Sequence, residues 1–152
     1  MSSSLSSHAV LLTEHLSPLP LLNAPAVQIQ EFAGDERFRE GMKWYIHRCT
    51  AMLLLADASN MDSVAELQRN YDLALESLAF RVAVVLNKID RADPAVQQAV
   101  EQFAARHDLP VIAVSAATLA GVEQLGAFLS EIRALCDSVD PPVPSTIAPS
   151  LR

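Results

Sequence analysis

The chain has 152 residues, a mass of 16.5 kDa and 51% hydrophobic composition, enough to build one core and too little for two, which excludes a multidomain enzyme. With 18 Asp and Glu against 11 Lys and Arg, the formal charge of -7 excludes general nucleic-acid binding, since affinity for that backbone rests on neutralising phosphates; only a small local basic patch is left open. Cys49 and Cys136 lie far apart with no Cys-x-x-Cys spacing, so neither a zinc cluster nor a disulfide scaffold is expected, and reduced thiols in a cytoplasmic chain fit best.

The start MSSSLSSHAVLL lacks the basic flank and long apolar core of a secretory signal. His8–Glu14 (HAVLLTE) reads as a first strand, at the edge of a sheet, within an atypical segment 1–25; Pro18, Pro20 and Pro25 disfavour a helix after it. Ala26–Glu31 (AVQIQE) alternates apolar and polar residues, the period of a half-buried strand, and runs into a turn at Ala33-Gly34-Asp35, with a helix expected over 36–47. Thr50–Ala56 (TAMLLLA) is almost wholly apolar, as in a strand covered on both faces, and stops at Asp57. Ser63–Phe80 reads as a helix, with Val64, Leu67, Tyr71, Leu75 and Leu78 recurring at steps of three or four.

The second half repeats this rhythm. Strand Arg81–Leu86, loop Asn87–Asp93, helix Pro94–His107, strand Pro110–Val114, loop Ser115–Leu119 and a helix over about Val122–Asp137 follow in order. Strand then helix, repeated, predicts an α/β three-layer sandwich with a mostly parallel sheet over 26–138. The carboxyl ends of its strands line one edge, where ligands of such folds sit. Residues 139–152 form a Pro-rich tail. No stretch approaches the roughly 20 apolar residues that span a bilayer, and neither a prenylated Cys nor a myristoylated Gly is expected, so any membrane contact would come through a partner.

Asn87-Lys88-Ile89-Asp90 follows the apolar strand RVAVVL directly. Read as residues alone, the segment is a strand-to-helix turn in which Asp90 or Asp93 caps the helix beginning at Pro94. It also resembles the Asn-Lys-x-Asp base-recognition motif of the Ras superfamily of small GTPases. Upstream, Ile29–Phe38 (IQEFAGDERF) resembles the Trp-Asp-Thr-Ala-Gly-Gln-Glu-Arg-Phe segment of the Rab branch. Asp57, followed by Asn60–Val64 (NMDSV), sits where Rab-like proteins have an Asp before a Ser-Phe helix start, and the resemblance runs from about Val27 to Asp137.

The resemblance implies an incomplete small-GTPase fold, related to P-loop NTPases, and a role for each matching residue. Asp90 would accept the two N–H donors of the guanine edge, Asn87 would brace the loop and contact the base, and the Lys88 stem would pack across the ring. Ser115-Ala116-Ala117 follows the next strand as the family's Ser-Ala-Lys does. Ala116 would then offer its N–H to the guanine oxygen, although Ala117 replaces the Lys. Gly34 would contact the terminal phosphate.

Departures from the pattern are as informative. No Gly-x-x-x-x-Gly-Lys-Ser/Thr occurs in these residues, and the four glycines, at 34, 41, 121 and 126, supply no comparable nest of N–H groups for phosphates. Glu31 stands where the family holds magnesium through an Asp, a position that tolerates little displacement. Asp35 replaces the Gln that orients water, and Phe32 a small polar residue. The domain is therefore expected to hold GTP or GDP weakly and Mg2+ poorly, with GTP hydrolysis disfavoured.

Other chemistry finds less support. His8, His15, His47 and His107 show no metal-ligand spacing, and Ser115 lacks the flanking glycines of a nucleophile elbow. Trp44 and Tyr45, beside the cations Arg37, Arg39, Lys43 and Arg48, mark 34–48 as a surface for a protein partner, with core packing and a solvated helix face as the alternatives. The expected function is that of a degenerate Rab-like domain, a protein-binding module in intracellular trafficking or signalling. The alternative is a GTP-binding GTPase proper, represented by a truncated isoform or incomplete gene model. Because the family's absent first strand is the central one, a replacement segment or a partner is expected to cover the sheet edge left open.

Overall fold

The computed structural model describes residues 8–15, 26–33, 40, 41, 43, 49–76 and 81–138. Five strands, β1 (His8–His15), β2 (Ala26–Ala33), β3 (Ala51–Asp57), β4 (Arg81–Asn87) and β5 (Val111–Ala113), form one sheet in the order β2-β1-β3-β4-β5. Three helices, α1 (Asp62–Glu76), α2 (Pro94–Arg106) and α3 (Val122–Ser138), alternate with the last three strands.

The body of the domain is the parallel trio β3-β4-β5, in which Asp57 lies opposite Asn87 and Leu86 opposite Ala113. Successive side chains of these strands go to opposite faces. On one face Met52, Leu54, Ala56, Val84 and Leu86 pack with Leu67, Leu73 and Ala74 of α1 and Val96, Val100 and Phe103 of α2. On the other, Ala51, Leu53, Ala83, Val85 and Ile112 pack against Ile132, with Leu125, Phe128 and Leu129 of α3 partly buried beside them. Helices thus cover both faces, and this is why TAMLLLA and RVAVVL are continuous apolar runs rather than alternating ones.

The expectation of a mostly parallel sheet needs correction. β1 runs antiparallel to both neighbours, pairing His8 with Ala33 through His15 with Ala26 on one side, and Ala9 with Leu54 through Leu12 with Ala51 on the other. Two strand pairings are therefore parallel and two antiparallel, and the sheet is mixed. The physical reason is connection length: only residues 16–25 separate β1 from β2, whereas a parallel crossover takes about a dozen residues or more. The 1–25 segment also supplies an interior strand rather than an edge one. β2 forms the outer edge on that side.

Other expectations differ in detail. Of the helix expected over 36–47, Glu40, Gly41 and Lys43 are helical, with Lys43 Nζ 3.1 Å from Glu40 Oε1; the rest, including Trp44 and Tyr45, lies outside the described residues, as do 1–7 and 139–152. α1 buries Ser63, Leu67, Asn70, Leu73 and Ala74, whereas Leu75 is 66% exposed. The buried stripe steps through 63, 67, 70 and 74, and Leu75 is turned about 100° from it at 3.6 residues per turn. Gly121, at the start of α3, has φ +75°, and a Cβ there would lie 1.9 Å from the Ala113 carbonyl oxygen. Only glycine lets β5 and α3 approach this closely.

Candidate functional site

The carboxyl ends of β3, β4 and β5 meet at one edge of the sheet, and the loops leaving them hold one another by side-chain hydrogen bonds. β3 ends at Asp57, which is 5% exposed. Its Oδ1 accepts from the Ser59 N–H at 2.9 Å and from the Ser59 hydroxyl at 2.6 Å, and its Oδ2 takes the Lys88 ammonium at 2.5 Å. Burial pushes this carboxyl upward, but the bond from Lys88, the two from Ser59 and the lysine charge outweigh burial, and its pKa falls below the ordinary carboxylate value. The fully buried Ser63 closes the loop beneath, its hydroxyl accepting the Asp57 N–H at 3.1 Å and donating to the Asn60 carbonyl at 2.7 Å.

β4 ends at Asn87. Its carbonyl accepts the Ala58 N–H at 2.8 Å, while its Oδ1 accepts both the Lys88 N–H, at 2.8 Å, and the Ala116 N–H, at 3.1 Å. One residue thereby ties the loops after β3, β4 and β5 together. Lys88 adopts a left-handed conformation, φ 64° and ψ 36°, which costs a non-glycine residue about 1–2 kcal/mol and is offset by the two bonds its N–H and ammonium make.

Asp90 lies in a 3-10 turn, Ile89–Arg91, where its Oδ1 accepts the Ser115 hydroxyl at 2.6 Å and its Oδ2 lies 3.9 Å from Arg91 Nε. Ser115 is fully buried and its Oγ also accepts the Thr118 N–H at 3.2 Å. The cap of α2 is Asp93, which accepts the Ala95 N–H at 2.8 Å ahead of Pro94 in the first turn. Asp93 therefore takes the capping role that residue chemistry left open between two aspartates, and Asp90 is committed to Ser115.

Asn87, Lys88, Asp90, Ser115 and Ala116 are thus gathered at one edge. Gly34 lies outside the described residues, one position beyond the end of β2, which finishes at the same edge because it runs parallel to β3 on the far side of β1. Glu31 is exposed on that outer strand, separated from β3 by β1. The residue whose part sequence reasoning missed is Asp57. Its signal was present, since an acid closing a wholly apolar strand must find a cation or several donors once buried.

The set combines the Asp90 carboxylate, whose Oδ1 accepts from Ser115, the Ala116 N–H, donated to Asn87 Oδ1, and the partly exposed Lys88 side chain. Among the described residues no group of three or more His, Cys, Asp or Glu side chains could hold a metal ion, and no helix is long and apolar enough to cross a membrane. A cleft of about 530 Å3 lies at the opposite end of the strands, between Tyr71, Leu75, Arg81, Pro110, Phe128 and Glu131, away from these loops.

No curated protein matches the chain. The sequence model of the Ras family matches residues 23–136, a span that takes in β2 through most of α3 and so covers the parallel trio, its helices and every loop of this edge. On that match, the chain belongs to the Ras family.

Proposed function

We propose that this chain is a Rab-like member of the Ras family that has given up catalysis and works by binding a protein, keeping a guanine-reading edge with weak affinity for GTP or GDP. The observation that carries the reading is the direction of β1. This strand fills the place beside β3, and because it is antiparallel to β3 it begins at the edge where β3 and β4 end and delivers the chain to the opposite edge. A loop following it cannot cradle phosphates beside Asp90. Catalysis of phosphoryl transfer is almost entirely positioning and charge stabilisation, so a domain without that cradle loses most of its rate rather than a fraction.

The guanine part fits the donor set. Asp90 supplies a carboxylate for the two N–H groups of guanine, and Ala116 an N–H for its oxygen once that N–H is released from Asn87 Oδ1. The metal part fits poorly, because Glu31, in the family's magnesium position, sits on the outer strand. The open edge of β2, continuous in sequence with 34–48, is the place for a protein partner, in trafficking or signalling and from the cytoplasm, with membranes reached through that partner.

Calorimetry with GDP and GTP, with and without Mg2+, tests the reading against an Asp90→Ala variant. The expected result is weak, magnesium-independent binding that the variant abolishes, together with no hydrolysis. A second reading, that these residues belong to a GTP-binding GTPase proper, draws support from the assembled Asp90–Ser115 and Asn87–Ala116 contacts. Tight, magnesium-dependent binding would establish it and overturn the first.

A further inference from the structure

We propose that the cleft at the opposite end of the strands is a peptide slot, in which an extended segment of a partner protein lies beside the first half of β4 as an added strand and pairs with the Val82 backbone. The segment carries two adjacent apolar residues with a basic residue next to them. This reading rests neither on guanine recognition nor on the open edge of β2.

The slot exists because β5 is shorter than its neighbour. β4 runs from Arg81 to Asn87, but its register with β5 begins only at Val84, opposite Val111. The Val84 N–H donates to the Pro110 carbonyl at 2.9 Å, so Val82, two residues earlier, turns its own N–H and C=O to the same side. Were the parallel ladder continued toward Arg81, residue 110 would donate to the Val82 carbonyl and residue 108 would accept from its N–H. Pro110 has no N–H to give, and Asp108 turns the chain in a left-handed conformation, φ 53°. Among the described residues no other backbone group takes their place. Val82 lines the cleft of about 530 Å3, a size that holds small ligands, and presents there one donor and one acceptor of a strand without a neighbour.

The walls dictate what the added strand carries. Tyr71 and Leu75 come from α1, on one face of the sheet, and Phe128 from α3, on the other. Successive side chains of a strand go to opposite faces, so consecutive apolar residues reach both walls, whereas an alternating segment leaves one wall bare. Leu75, 66% exposed, gains apolar cover when the slot fills. Asp108 adds an exposed carboxylate to the rim, while Arg81 is already met by Glu131 at 3.4 Å, and a basic residue is the complement.

The test is an NMR titration of the isotope-labelled full chain with the blocked peptide acetyl-Lys-Leu-Val-Ala-amide. Binding is expected to move the Val82 amide resonance. Replacing one of the two central peptide N–H groups by an ester oxygen should weaken binding at least about fivefold and replacing the other should not, because alternate amides of a strand face opposite ways. Leu75→Ser should weaken binding about tenfold without lowering the thermal midpoint, since the side chain is exposed in the parent chain. Asp108→Asn, compatible with the left-handed backbone, should weaken the Lys peptide about threefold and leave its Gln counterpart unmoved. A Val82 amide that stays in place up to millimolar peptide, or two esters that behave alike, overturns the proposal. So does a Val82 resonance that moves with the concentration of the chain alone, which gives the slot to a second copy, or a Val82 amide already protected from exchange without peptide, which gives it to a segment of the chain itself.

Discussion

Asp57 carries a charge that its surroundings both penalise and require. With Lys88 and Ser59 supplying its partners, Asp57→Asn should cost about 1–3 kcal/mol in a denaturation experiment, the scale of a buried group left with incomplete partners. The sign of its pH dependence follows from the direction of its pKa. The folded value lies below the unfolded one of about 3.9, so the stabilisation is fully present above that pH and is lost as pH falls through it toward the folded value. The stability gap between the parent chain and Asp57→Asn should hold constant from neutral pH to about 5 and close in more acid solution. A gap that widened in acid would refute this account. At Gly121 backbone rather than charge decides the outcome. A methyl group there meets the Ala113 carbonyl at 1.9 Å in a conformation unfavourable for side chains, and Gly121→Ala should lower stability by about 2–4 kcal/mol in thermal unfolding.

Among the elements, β1 makes the sharpest prediction because it has a neighbour on each side. Leu11 pairs with Gln30 of β2 and with Met52 of β3, so its N–H points toward one strand or the other. Leu11→Pro should therefore break the ladder whichever way the amide faces, costing about 3 kcal/mol or more, measured as a lowered urea midpoint. β3, β4 and α2 were legible in the sequence because apolar runs and the Asp-Pro start of a helix are local signals. β1 was legible as a strand, but its direction was not. Apolar patterning reports which residues face a core and is blind to whether neighbours run alongside or against them. The same limit placed Leu75 in the core stripe, since a Leu at a step of four from Tyr71 satisfies the period whether or not a neighbour reaches it.

For the molecule as a whole, the motif register was readable at the level of the edge and unreadable at the level of its wiring. Asn87, Asp90, Ser115 and Ala116 were nominated by their resemblance to the family's motifs, with their places after apolar strands in support. That Lys88 would turn to Asp57, 31 positions earlier, depends on two strand ends lying opposite each other in the sheet, and pairing of that kind is set by tertiary structure. The domain that results joins a parallel α/β body to an antiparallel strand pair through the pairing of β1 with β3.

That junction has a consequence for how the protein breathes. Alternate amides along β3 face β1 or β4, so neighbouring residues of one strand report on the two halves separately. The β4 side is covered by helices on both faces, while β1 meets β3 along four register pairs. Opening of the strand pair as a unit would expose one set of β3 amides to solvent deuterium and spare the other, giving the strand an exchange pattern that alternates residue by residue between a shallow and a deep free energy of opening.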